Sequence, residues 1–303
     1  MTGPLGTWPH GEMAAVVFPR ARELDWQRVP IPAEAPGTVL VRIARLDICG
    51  TDVHLFTGEI AYMKNGLSSY PFRPGHEWSG TVVAVADDVS EVAPGDRVVG
   101  EPFLSCGRCE QCRLGRRNHC PARHELGVRG DSPGAAAEYL RVPVGNVARI
   151  ASSVDSSNAV PCEPFVTVLH ALSATRLEPG ERIGVIGAGT IGLLAVQVAS
   201  AMGMSGEGTV PVDAVALPTK GPHVTRVLGG ILFLARAVQL IEKGVVQAGP
   251  LIDRVLPWNE NGSALELRIN RGATRPKLIL DFSGRRGPAT TASTNHERKN
   301  WLT

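Results

Sequence analysis

At 303 residues and 43% apolar composition, the chain is long enough to bury two cores. The formal net charge is only +2 and the basic residues are scattered, which points to neither a nucleic-acid nor a membrane partner. No apolar run reaches the length of a membrane span, the best being Ile231–Ile241 with Arg236 inside it. Met1–Gly11 also lacks the charged start and apolar core of a secretory leader, so a cytoplasmic protein is expected, in which clustered cysteines more often ligate metals than pair.

In chain order, residues 13–150 read as β structure. Met13–Phe18, Thr38–Ile43, Gly80–Val85 and Arg97–Val99 are short Val/Ile-rich runs bounded by Pro, Gly and Asp. Ala93-Pro-Gly-Asp96 is a turn leading into a strand, and strands at this spacing suggest a barrel-like antiparallel domain. From about Ser152 the pattern changes. Val160–Ala174 reads as helical and Glu181–Ile186 as a buried strand; Gly187-Ala-Gly-Thr-Ile-Gly192 then opens the apolar helix Leu193–Met202. Strand, glycine turn and helix together begin a doubly wound, Rossmann-type unit, with Gly187, Gly189, Thr190, Ile191 and Gly192 as candidate cofactor-binding positions. Gly187 permits the turn, Gly189 lets backbone approach a pyrophosphate, and Gly192 allows close helix–strand packing. Leu232–Lys243 reads as a helix stopped by Gly244, Ser263–Ile269 as another and Lys277–Leu280 as a last strand. The polar, aperiodic stretch 283–303 is expected to be disordered.

Cys106, Cys109, Cys112 and Cys120 follow a C-x2-C-x2-C-x7-C spacing and account for four of the six cysteines. Two-residue spacers with glycine form a tight knuckle, and a short loop returns the fourth thiolate, which suits tetrahedral zinc. An iron–sulfur cluster is the rival, but the last spacer is too long for the ferredoxin run and no second motif accompanies it. Four protein ligands leave no open position, so this zinc is structural.

A second set of ligand types lies in Cys49-Gly-Thr-Asp-Val-His54, Gly75-His-Glu-Trp-Ser-Gly80 and Pro161-Cys-Glu-Pro164. Together with the cysteine lobe, these segments resemble the zinc-dependent medium-chain dehydrogenases, in particular the branch acting on sorbitol, threonine and 2-deoxy-scyllo-inosamine. The resemblance implies Cys49, His76 and Glu163 as ligands of a catalytic zinc. Cys162 is an adjacent alternative to Glu163, and Glu77 is either an exchanging ligand or a carboxylate behind one. It implies Thr51 and His54 as a proton relay through the cofactor ribose, and Asp52 as an orienting group.

The implied fold is mixed α/β and β. A GroES-like β-barrel catalytic domain would span 1–150, with a C-terminal return at about 250–282, and a shortened Rossmann-like nucleotide-binding domain would span 151–249. The implied activity is hydride transfer between a small-molecule secondary alcohol (polyol, amino alcohol or aminocyclitol) and NAD or NADP, with two zinc ions per chain in a homo-dimer or homo-tetramer. The second strand and its ribose-binding acid are missing: after Met204 the chain resembles a late segment of the family, with Pro211 unsuited to a central strand and Asp213 a weak substitute for the acid. Two or three βα units, roughly 60 to 70 residues, are therefore expected to be absent. A zinc-holding family member without turnover is the alternative reading. A zinc-free quinone reductase is a third, opposed by the full ligand sets.

Overall fold

The computed structural model describes residues 6–175, 183–185, 187–202, 233–270 and 272–284. The elements, in order, are β1 (Glu12–Val17), β2 (Asp25–Pro30), β3 (Thr38–Asp47), α1 (Gly50–Thr57), α2 (Ala61–Lys64), β4 (Trp78–Val85), β5 (Arg97–Gly100) and β6 (Phe103–Leu104). There follow α3 (Glu110–Arg113), β7 (His124–Glu125), β8 (Tyr139–Pro143), β9 (Val147–Arg149), α4 (Ser156–Ala159), α5 (Cys162–Thr175), α6 (Thr190–Ala201), α7 (Leu234–Glu242), β10 (Ile252–Pro257), α8 (Asn261–Ile269) and β11 (Lys277–Asp281).

A seven-stranded sheet runs β10-β11-β3-β4-β5-β9, with β8 also paired to β3. The long strand β3 organises it, because β4, β8 and β11 all pair antiparallel with β3. Alternating apolar residues explain its stability: Val39, Val41 and Ile43 of β3 meet Trp78, Val82, Val98, Leu140 and Val142 in one core. Burying each such side chain contributes about 1.5–3 kcal/mol. A late segment of the chain completes this sheet, since β11 pairs antiparallel with β3 and β10 pairs parallel with β11.

The expected early strands appear as β1, β3, β4 and β5, and the 93–96 turn closes with the Asp96 N–H donating to the Ala93 carbonyl. The expected helices appear as α5, α6, α7 and α8, and Gly244 follows α7 in the left-handed region at φ 68°. The strands β2, β6, β7, β8, β9 and β10 are additions to the sequence reading.

In the second half only part of the expected doubly wound unit falls within the described residues. Among the described residues no strand lies between Arg149 and Ile252. Of the expected strand 181–186, residues 181, 182 and 186 lie outside the described set, and 183–185 have no ladder partner within it, which a strand requires. What is described is a helical core. Phe165, Val168 and Leu172 of α5 pack with Leu194 and Val198 of α6 and with Leu234, Val238 and Ile241 of α7. The α7 residues recur at one helical face, as a buried stripe must. The 203–232 region, with the expected missing units and Asp213, and the 285–303 part of the tail lie outside the described residues.

Gly80 marks the tightest approach between β3 and β4, where an added Cβ would run into the Arg42 carbonyl and the Val41 side chain. Gly80→Ala should therefore lower unfolding free energy by about 2–3 kcal/mol, read as a fall in the urea midpoint with an unchanged m-value.

Candidate active site and metal centres

Cys49 caps α1. Its thiol accepts from the Thr51 N–H at 3.2 Å, and its own N–H donates to the Asp52 carboxylate at 3.0 Å. This reciprocal cap fixes Cys49, Thr51 and Asp52 as one unit. The loop before β4 carries His76 and Glu77, both buried, and sets the His76 Nε2 3.1 Å from the Cys49 Sγ. The other ring nitrogen, Nδ1, faces Asp52 at 3.5 Å, so the helix cap also orients the imidazole.

Cys49, His76 and Glu77 form a group whose ligand atoms lie within 4.8 Å of one another. Glu163, in the first turn of α5, stands outside that tight group but lines the same cavity. Cys162 points the other way, into the apolar core with Phe165 and Leu194, and burial pushes its thiol up. Between the two adjacent candidates, only Glu163 faces the open site.

Burial shapes the charges here. It pushes the Cys49 thiol up, and it raises Glu163 to about 7 with the help of the neighbouring Glu77 charge. Burial opposes protonation of His76, yet Cys49 and Asp52 together hold its pKa well above the ordinary value. A bound cation would favour the deprotonated form of all three groups: the thiolate, the carboxylate and the neutral imidazole.

The four cysteines of the lobe also converge. The sulfur separations are 3.6 Å for Cys106–Cys120, 3.9 Å for Cys106–Cys112 and 3.9 Å for Cys109–Cys120. Four thiolates at the usual zinc–sulfur distance in a tetrahedron stand about 3.8 Å apart, so the donor set fits that ion. Backbone N–H groups of Arg108 and Cys109 lower the Cys106 thiol to about 6, favouring the ligating thiolate. At the open site the soft thiolate, imidazole and carboxylate set fits zinc as well.

The cavity is an open space of about 1480 Å³. Cys49, Thr51, His76 and Glu77 line it, and so do Gly187, Gly189, Thr190, Ile191 and Gly192 of the glycine turn. Gly187 takes φ 105°, and an added Cβ at Gly192 would run into the Gly187 carbonyl, so both positions require glycine. Gly189 caps α6 with no side-chain hydrogen bond and has open space where a Cβ would stand. A diphosphate fits such a bare helix N-terminus. His54 lies elsewhere: its side chain is 60% exposed, with Nδ1 3.8 Å from Glu59.

Sequence reasoning missed Lys277, Asp47 and Arg268. The Lys277 ammonium, fully buried at the start of β11, bonds Glu77 and also donates to Asp47 at 2.8 Å. Burial lowers its pKa, but the two carboxylates outweigh that and raise it. Burial likewise raises Asp47, to about 7, against the pull of Lys277. Arg268 lines the cavity and donates to the Ile48 carbonyl at 2.9 Å. A lysine opening a short apolar strand carries no sequence signal of this kind; only the β3–β11 pairing reveals its partners.

The alcohol dehydrogenase GroES-like domain model matches residues 35–152. The chain is 34% identical over 272 residues to L-galactonate-5-dehydrogenase of Escherichia coli, covering 90% of this chain and 69% of that enzyme. It is 37% identical to the sorbitol dehydrogenase of Bacillus subtilis over 63% of this chain and 53% of the enzyme, and so spans about half that relative's length. Alcohol dehydrogenase TADH from Thermus sp. ATN1 superposes with a TM-score of 0.76 at 25% identity, covering 89% of this chain and 99% of that one.

Removing the Lys277 charge should be costly, because two buried carboxylates would lose their cation. Lys277→Met is expected to lower stability by about 3–5 kcal/mol, measured by chemical denaturation. Lys277→Arg should recover part of that loss.

Proposed function

The chain belongs to the zinc-dependent medium-chain dehydrogenases, and on that premise we propose that it moves a hydride between a secondary alcohol and NAD or NADP. The alcohol class we favour is a polyol, amino alcohol or aminocyclitol. One observation carries the reading: a single cavity is lined both by the Cys49, His76, Glu77 and Glu163 donor set and by the glycine turn at the start of α6. Metal-site chemistry and dinucleotide-site chemistry thus open onto the same space.

In this reading Cys49, His76 and Glu163 would hold one zinc ion, with Glu77 as a further ligand or as a carboxylate behind one, and Cys106, Cys109, Cys112 and Cys120 would hold a second. Zinc supplies Lewis acidity that lowers the pKa of an alcohol hydroxyl, and the nicotinamide supplies the hydride acceptor. The chain's own residues do the rest. Asp52 holds the His76 ring so that Nε2 faces the Cys49 thiol. The Lys277 ammonium donates to Glu77 and so holds that carboxylate in its buried position. The Thr51 hydroxyl, facing the cavity, takes the proton from the substrate oxygen. His54, further along α1 and exposed to water, is the outlet of the proton. Backbone N–H groups of Gly189, Thr190 and Ile191 receive the cofactor's phosphates. The catalytic unit is assigned to 1–150 with the 250–282 return, and the cofactor unit to 151–249.

Purified protein should contain two zinc ions per chain by elemental analysis, and Cys112→Ser should contain one. Titration with NAD or NADP should raise the melting temperature. No shift in fully zinc-loaded protein would reject the dehydrogenase reading and leave a zinc-holding chain without turnover. Thr51→Val should keep its zinc and lose about 100-fold in kcat for polyol oxidation.

A further inference from the structure

Glu125 lines the same cavity as Cys49, Thr51 and Glu163, yet it belongs to no ligand group and to no part of the proton path. It is 6% exposed, at the end of the short strand β7. Its position is fixed on three sides. It pairs with Phe103 across β6 and β7, and its N–H donates to the Arg129 carbonyl at 2.9 Å. The following Leu126 N–H donates to the Pro102 carbonyl at 2.9 Å. Two residues on, Gly127 presses on Gly75, the residue before His76; a Cβ there would stand 2.5 Å from the Gly75 carbonyl. The hairpin carrying Glu125 is therefore locked to the loop carrying His76.

The two carboxylate oxygens differ. Oε1 accepts from the Arg123 Nε at 2.6 Å and faces the Tyr62 hydroxyl at 3.5 Å. Arg123 is itself anchored, donating to the Asn118 carbonyl at 2.5 Å and lying over the Phe103 ring. Among the described residues nothing donates to Oε2. Oε2 is not sealed from solvent, and Glu125 lines the cavity, so water serves this oxygen until a substrate fills the space. A substrate that displaces that water must supply a donor in its place. A molecule lacking that donor leaves the oxygen desolvated and unpaired, which is the strongest form of discrimination a site can build.

We infer that Glu125 is a specificity-determining residue whose free oxygen accepts from a second hydroxyl or an ammonium group on the substrate, away from the reacting carbon. This rests on the reading that the cavity binds an alcohol. It favours diols and amino alcohols over monohydric alcohols. It disfavours substrates that present an anion there, since Glu163 already feels the Glu125 charge.

The test uses three probes that share one ring: cyclohexanol, trans-1,2-cyclohexanediol and trans-2-aminocyclohexanol. Their binding to zinc-loaded, cofactor-saturated protein is measured by calorimetry for wild type, Glu125→Gln and Glu125→Leu, with zinc content and melting temperature confirming that each is folded. Wild type should bind the diol and the amine at least tenfold more tightly than cyclohexanol. Glu125→Gln should lose at least tenfold for the amine, and Glu125→Leu should erase the preference for both. An unchanged order of affinities in both variants, or no preference in wild type, would overturn the inference. Oxidation of each probe is followed separately. A binding preference without any turnover would count against the proposed reaction while leaving the role of Glu125 standing.

Discussion

A buried ammonium between two buried carboxylates sets the geometry on which the site depends. Lys277 opens β11, Asp47 closes β3, and Glu77 precedes β4, so three segments far apart in sequence converge on one charge. Lys277 also takes part in the sheet, and the Leu278 N–H donates to the second Asp47 oxygen at 2.9 Å. Fixing the ladder therefore fixes the ion cluster. Such a cluster adds little net stability compared with an apolar core of the same shape, because three groups have been stripped of water. Its effect is on position: a carboxylate pinned beside His76 cannot leave the cavity without stranding the ammonium.

Two packing systems meet at this point. The sheet core holds the helix cap at Cys49 and the loop at His76, while the helical core of α5, α6 and α7 holds Glu163 and the glycine turn. α5 is the joint between them, with Cys162 turned into apolar packing and Glu163 turned toward the cavity. Gln197 ties the helices further by accepting from the Gln247 N–H at 2.7 Å and donating to its carbonyl. The cavity is thus a boundary feature of two cores, lined by residues held by each.

The legibility of these features in the sequence depends on how local each one is. The four-cysteine lobe is readable from spacing alone, because a tetrahedral thiolate site needs a knuckle that the spacing encodes. Strands β1, β3, β4 and β5 show because apolar residues cluster in short runs between turn residues. Strand β2 does not, since Asp-Trp-Gln-Arg-Val-Pro has polar residues at most positions and lies half-exposed in a two-stranded ribbon. Cys49, His76 and Glu163 were readable only through family resemblance, as each alone has an ordinary structural explanation. Lys277 and Glu125 were not readable at all. A charged residue next to a turn is the usual sign of a solvated surface, and only tertiary pairing makes it buried.

The charge distribution of the cavity links these observations. Glu77, Glu163 and Glu125 all face it, and Lys277 is committed to Glu77 and Asp47. Arg123 offsets Glu125 from outside the cavity lining. Without a cation, burial raises Glu163 and the Cys49 thiol toward their neutral forms. A divalent ion held there would reverse that balance, because it would supply a positive charge that favours their ionised forms. Glu125 stands apart from that donor group, with one oxygen committed to Arg123, so the cavity carries a carboxylate that a metal at Cys49 and His76 would not use.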